Sequence, residues 1–122
     1  TNGIYKGIKG VISLPITEIV TDNGFFDFDA KYKGESNEIT PADLSLELTN
    51  KVKAVTKEIF ELLDLKGIAR ADYIIQNNEP YLIEINTVPG MSGASLIPQM
   101  AEHDGIALKD LLNDVIVVAL LR

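Results

Sequence analysis

Residues 69–76 and 80–86 form two short runs in which side-chain character alternates, with Asn77-Asn78-Glu79 between them. This is the pattern of an antiparallel β-hairpin. Side chains two apart on a strand share a face, so Arg70 and Asp72 project together, as do Leu82, Glu84 and Asn86. The other face carries Ala71, Tyr73, Ile75, Tyr81, Ile83 and Ile85. Register decides whether the two polar sets coincide. A two-residue turn at Asn77-Asn78 sets Asp72 opposite Ile83. A three-residue connection, Asn77 to Glu79, sets Asp72 opposite Glu84 and Arg70 opposite Asn86, and is the expectation here.

Around this hairpin the chain supplies the parts of one α+β unit, an antiparallel sheet packed with helices. Residues 3–5 and 10–20 are β-like, joined by the turn-rich Lys6-Gly7-Ile8-Lys9. Residues 21–39 hold Asp22-Asn23-Gly24, an aromatic patch at Phe25, Phe26 and Phe28, and Lys31-Tyr32-Lys33-Gly34; a loop of this length inside a domain is usually functional. Thr40-Pro41-Ala42-Asp43 predicts a helix start, with Thr at the cap and Pro at the first helical position, and the helix should run to about residue 64. Its apolar positions are Leu44, Leu48, Val52, Val55, Ile59, Leu62 and Leu63. After the hairpin, Pro89-Gly90-Met91-Ser92-Gly93 leads to a short helix at about residues 95–103 and a final one at about 108–121. That last helix puts Leu108, Leu111, Leu112, Val115, Ile116, Ala119 and Leu120 on a broad face.

Composition narrows the function. With 122 residues, 46% of them hydrophobic, the chain can bury one core. Eighteen acids against eleven bases give a formal charge of −7, and no long Lys/Arg cluster offers a path for a nucleic-acid backbone. The absence of cysteine removes disulfides, thiolate metal sites and a Cys nucleophile, and fits a reducing cytoplasm. The longest apolar stretch, residues 115–121, is far short of a membrane span. Because the chain opens at Thr1 on strand-like sequence, it is expected to be cut from something longer.

Two carboxylates facing each other across a hairpin repel unless a cation sits between them. Asp72, Glu84 and Asn86 offer only hard oxygen atoms, the donors that Mg²⁺ or Mn²⁺ accept. Arg70 beside them can stabilise charge on a phosphoryl group or an oxyanion. A solvated polar face, with Arg70 paired to Asp72 or Glu84, accounts for the same residues. Pro89-Gly90-Met91-Ser92-Gly93 has small residues where a backbone can approach an anion, and Ser95 at a helix start can bind a carboxylate or phosphate; an ordinary turn and cap accounts for the same residues. Lys31 can reach a phosphate or remain a solvated charge, and His103 at a helix end fits a favourable helix-dipole charge.

Taken together, Arg70-Ala71-Asp72, the stretch Glu84-Ile85-Asn86-Thr87-Val88-Pro89-Gly90-Met91, and Ser95-Leu96-Ile97-Pro98 resemble the motifs of D-alanine:D-alanine ligases, in that family's order and spacing. Leu14-Pro15-Ile16-Thr17-Glu18-Ile19, Phe28-Asp29-Ala30-Lys31-Tyr32 and Glu38-Ile39-Thr40-Pro41-Ala42 resemble further family segments, so the likeness spans nearly the whole chain. The resemblance implies the C-terminal portion of an ATP-grasp fold, in a cytoplasmic and commonly homodimeric enzyme of peptidoglycan precursor synthesis. It further implies ATP and two ions, Mg²⁺ or Mn²⁺, with a first D-alanine activated as an acyl phosphate and attacked by the amine of a second. Carried over, Asp72 and Glu84 would hold one metal, and Glu84 and Asn86 the other. Arg70 and the Gly90 backbone would stabilise the tetrahedral intermediate, and Ser95 with Leu96 would grip the acceptor's carboxylate. Lys31 would touch ATP phosphates, while Tyr32 would favour D-alanine over D-lactate as acceptor. The N-terminal substrate part and the nucleotide-binding central part of such an enzyme have no counterpart here. The alternatives are a D-alanine:D-lactate or other ATP-grasp carboxylate-amine ligase, and a non-catalytic metal-binding or interaction module.

Overall fold

The computed structural model describes residues 1–20 and 37–121. Its elements are β1 (Asn2–Gly7), β2 (Gly10–Ile16), β3 (Glu18–Val20), β4 (Asn37–Ile39), α1 (Leu46–Leu62), β5 (Ile68–Gln76), β6 (Glu79–Asn86), α2 (Leu96–His103) and α3 (Leu108–Leu120). An antiparallel sheet of order β2-β1-β5-β6 forms the middle layer, and β3 and β4 pair separately. The α+β expectation holds.

Alternation along β1 builds the two sides. Ile4 meets Ala69 and packs with Phe60 of α1, whereas its neighbour Tyr5 joins Leu14, Leu96, Ile97, Met100 and Leu111 beneath α2 and α3. Leu14 and Ile16 should share a face by strict alternation, yet Ile16 packs with Leu48 and Val52 of α1. The cause is an irregularity between β1 and β2: Ile4 pairs with Ser13 but Asn2 with Ile16. The extra residue falls beside Pro15, which lacks an N–H and is tolerated because β2 is an edge strand. Buried Asn2 closes the irregularity by donating to the Leu14 carbonyl at 2.8 Å.

Gly3 brings α2 close to the sheet. A Cβ there would stand 2.6 Å from Ile97 Cδ1 and 3.0 Å from Met100 Sδ. Gly3→Ala is expected to destabilise the fold by about 1–3 kcal/mol through overpacking. A urea midpoint equal to that of the parent sequence would show that the two side chains simply move aside.

Helix α1 departs from expectation at both ends. It starts at Leu46, with Ser45 as the cap accepting the Leu48 N–H at 3.1 Å, rather than at Pro41. The preceding segment is held by tertiary bonds: Ala42 N–H donates to the Ile16 carbonyl (2.8 Å) and the Thr40 hydroxyl lies 2.7 Å from that of Thr17. These contacts keep residues 40–44 against β2 and β3. The buried stripe is Leu48, Val52, Thr56 and Phe60, so Leu62 and Leu63, expected to pack inward, are exposed. Thr56 is admitted to the core because its hydroxyl donates to the Val52 carbonyl and meets Tyr73 Oη at 2.7 Å. On α3 only Leu111 is fully buried; Ile116 and Leu120, placed on the inner face by their spacing, are exposed.

Candidate functional site

The β5–β6 hairpin achieves the expected pairing by an unexpected route. Arg70 stands opposite Asn86 and Asp72 opposite Glu84. The turn, however, has two residues, not three, because Gln76 pairs directly with Glu79. Asn77 and Asn78 both have positive φ, 53° and 61°, the left-handed pair that such tight turns require and that Asn tolerates. A two-residue turn alone would align Asp72 with Ile83. A bulge intervenes: Tyr73 pairs with Leu82, and Ile83 is the extra residue. Towards the turn the bulge exchanges the faces of β6, so Leu82 lies across from Tyr73, and Tyr81 lies across from Ile74 on the Arg70 and Asp72 side. The outer hairpin is consequently rich in exposed apolar surface, with Ile74, Tyr81 and Ile83 at 54%, 56% and 59% exposure.

Arg70 and Asp72 lie on the α2/α3 side of the sheet, continuing the face of Ile68, and both are buried. Arg70 Nε donates to Asp72 Oδ1 at 3.1 Å and Nη2 to Oδ2 at 3.2 Å, so the guanidinium grips both carboxylate oxygens. This fork geometry fixes both side chains on a rigid strand. Glu84, across the ladder, is exposed to solvent and Asn86 is half-buried. One guanidinium and two carboxylates leave a net negative charge on a face whose remaining donor is an amide oxygen. That donor set fits a hard divalent cation. Among the described residues no group of three or more His, Cys, Asp or Glu gathers, and the candidate here rests on the pairing of Asp72 with Glu84 and the neighbouring amide of Asn86.

Asn86 has a second task, since its Oδ1 accepts the Val88 N–H at 3.0 Å and turns the chain out of the sheet. Pro89 is buried next, and Gly90 comes close to Ser95: a Cβ at position 90 would lie 2.8 Å from Ser95 Oγ. Ser95 is the N-cap residue of α2, but its hydroxyl makes no bond to that helix. It turns instead to Ser92, whose N–H it accepts at 3.0 Å and whose hydroxyl lies 2.8 Å away. Leu96 opens the helix with its side chain buried in the core, which leaves only its backbone for a ligand. His103 stands in the last turn of α2, exposed. Lys31 and Tyr32 lie outside the described residues. Ser92 was legible only as a small loop residue, and the Asn86 turn only as an Asn near a Pro.

The model for the D-ala D-ala ligase C-terminus matches residues 4–117. The chain belongs to this family. It is 53% identical over 116 residues to the D-alanine--D-alanine ligase of Flavobacterium johnsoniae, covering 95% of this chain and 35% of that protein. Identity to the D-alanine--D-alanine ligase of Parabacteroides distasonis is 49% over 117 residues, again covering 95% of this chain and 36% of the relative. Among solved structures, the D-alanine--D-alanine ligase of Bacillus anthracis complexed with ATP superposes with a TM-score of 0.78 at 29% identity, over 98% of this chain and 36% of that one. The VanG D-Ala:D-Ser ligase of Enterococcus faecalis gives a TM-score of 0.73 at 27% identity, over 94% of this chain and 34% of that one. The fold is therefore that of ATP-grasp ligases, and the chain spans about a third of the length of the relatives it matches. No described helix is long and apolar enough to cross a membrane.

Proposed function

We propose that this chain forms the metal- and acceptor-binding part of an ATP-dependent D-alanine:D-alanine ligase, acting in the cytoplasm, as a homodimer, in peptidoglycan precursor synthesis. The observation that carries the reading is the cross-ladder placement of Asp72 on Glu84 and Arg70 on Asn86, in a chain matched to the family over nearly its whole length.

In this reading a carboxylate oxygen of the first D-alanine attacks the γ-phosphorus of ATP and ADP leaves, giving an acyl phosphate. The amine of the second D-alanine attacks the acyl carbon, a proton is lost from nitrogen, and inorganic phosphate departs with the former carboxylate oxygen. Asp72, Glu84 and Asn86 would hold two divalent ions, Mg²⁺ or Mn²⁺, whose charge when bound offsets that of the nucleotide phosphates. Arg70, oriented by Asp72, would share the negative charge of the tetrahedral intermediate with the Gly90 N–H. Ser95 and the Leu96 N–H would hold the acceptor's carboxylate at the start of α2. Lys31 would meet ATP phosphates. The exposed outer hairpin, with Ile74, Tyr81 and Ile83, is read as the face turned to the rest of the ligase.

Oxygen-isotope transfer tests this chemistry. With D-alanine labelled in its carboxylate, the full-length chain carrying these residues should release labelled phosphate. Unlabelled phosphate alongside dipeptide would sink the acyl-phosphate step. Tyr32 is proposed to bear on acceptor choice: Tyr32→Phe should raise the yield of depsipeptide from D-lactate relative to dipeptide, and an unchanged product ratio at every pH would remove it from that role.

A further inference from the structure

Ser95 stands at the N-cap of α2 without capping it. One reason is local: Pro98, at the third helical position, has no N–H to offer, which removes a usual partner of an N-cap side chain. The hydroxyl is engaged by Ser92 instead. Ser92 N–H donates to Ser95 Oγ (3.0 Å), the two hydroxyl oxygens are 2.8 Å apart, and Ser95 N–H returns to the Ser92 carbonyl (3.0 Å). The absence of a side chain at Gly90 leaves room for this arrangement.

A serine hydroxyl has one proton and two lone pairs. We propose that Ser92 is a positioning residue for the acceptor substrate: its hydroxyl donates to Ser95 Oγ and, with its own N–H, fills both lone pairs. Ser95 can then act outwardly only as a donor. A donor-only hydroxyl beside the N-terminus of α2, where the N–H groups of Leu96 and Ile97 have no helical partner, selects an anionic carboxylate. Were the proton between the hydroxyls to run the other way, Ser95 would present a lone pair to that carboxylate and repel it. The inference rests on the reading of Ser95 as the acceptor-carboxylate residue.

Steady-state kinetics of the full-length ligase carrying Ser92→Ala, Ser92→Thr, Ser95→Ala and the Ser92→Ala/Ser95→Ala pair would test it. Ser92→Ala should raise KM for the acceptor D-alanine about tenfold, the scale of one lost hydrogen bond, with kcat and KM for ATP within about twofold. Ser92→Thr, which keeps the hydroxyl, should restore the acceptor KM. The double variant should be no worse than Ser95→Ala alone, because both changes remove one coupled unit. A raised acceptor KM for Ser95→Ala with none for Ser92→Ala, or effects that simply multiply, would overturn the inference and leave the Ser95 reading standing. A fall in kcat and melting temperature together with every KM would also overturn it, as the mark of a purely structural loop residue. If Ser95→Ala itself leaves the acceptor KM unchanged, the Ser95 reading fails and the inference falls with it.

Discussion

Glu84→Gln in the full-length ligase is expected to lower turnover at saturating Mg²⁺ by about 100-fold or more, equivalent to ~3 kcal/mol of lost transition-state stabilisation. Asn86→Ala should cost about tenfold. The difference follows from charge and position. Glu84 faces Asp72 directly across the ladder, is assigned to both ions, and supplies a full negative charge that the amide cannot replace. Asn86 pairs with Arg70 and already spends its Oδ1 on the Val88 N–H, so its loss alters the exit from β6 as well as one oxygen donor. Equal losses, or a milder effect at Glu84, would remove the bridging role. Mn²⁺ affinity measured with a non-hydrolysable ATP analogue separates the two causes, because the metal reading requires Glu84→Gln to weaken the ion.

Gly90→Ala is the second large effect. The added methyl would lie 2.8 Å from Ser95 Oγ, closer than real Cβ contacts come. Ser95 would have to rotate, breaking its bonds with Ser92, or the loop would have to shift. A displacement of about 1 Å in a positioning group can cost on the order of 100-fold in rate. The expected result is a fall of that size in kcat/KM for the acceptor, with ATP binding retained and a melting temperature close to that of the parent, since Gly90 is exposed. Near-parental acceptor kinetics would show that the closeness of Gly90 and Ser95 serves neither substrate.

Alternation groups Arg70 with Asp72 and Glu84 with Asn86, but it took a choice of register to bring the two sets to one face near the open end of the hairpin; the structure has that pairing, though not the three-residue connection from which it was expected. What alternation cannot reveal is the bulge. Nearly every residue from Pro80 to Ile85 is apolar, so no break in pattern marks Ile83 as the extra one, and a longer turn gives the same pairing at the site. The Asn77-Asn78 pair did carry a signal for the tight turn, since both residues tolerate positive φ. Pro15 poses the same difficulty in β2, where a second irregularity sends Leu14 and Ile16 to opposite sides.

The start of α1 failed for a different reason. The start expected at Thr40-Pro41 lies instead at Ser45, because Ile16 and Thr17, distant in sequence, hold Ala42 and Thr40 through hydrogen bonds. Likewise the buried Thr56 hydroxyl, which donates to the Val52 carbonyl, also meets Tyr73 from a distant strand, where burial raises the phenol's pKa and the Thr56 hydrogen bond pulls it back. The motifs at Arg70–Asp72, Glu84–Met91 and Ser95–Pro98 needed no such tertiary information. Their spacing is local, and it carried the family resemblance that the comparison over residues 4–117 then established.

The most direct test of the central claim is product analysis of the full-length chain carrying this segment, supplied with ATP, Mg²⁺ and D-alanine. The expected result is D-alanyl-D-alanine formed in equal amount with ADP and phosphate, abolished by Glu84→Gln. A folded protein that binds ATP yet releases no ADP in response to D-alanine would contradict it.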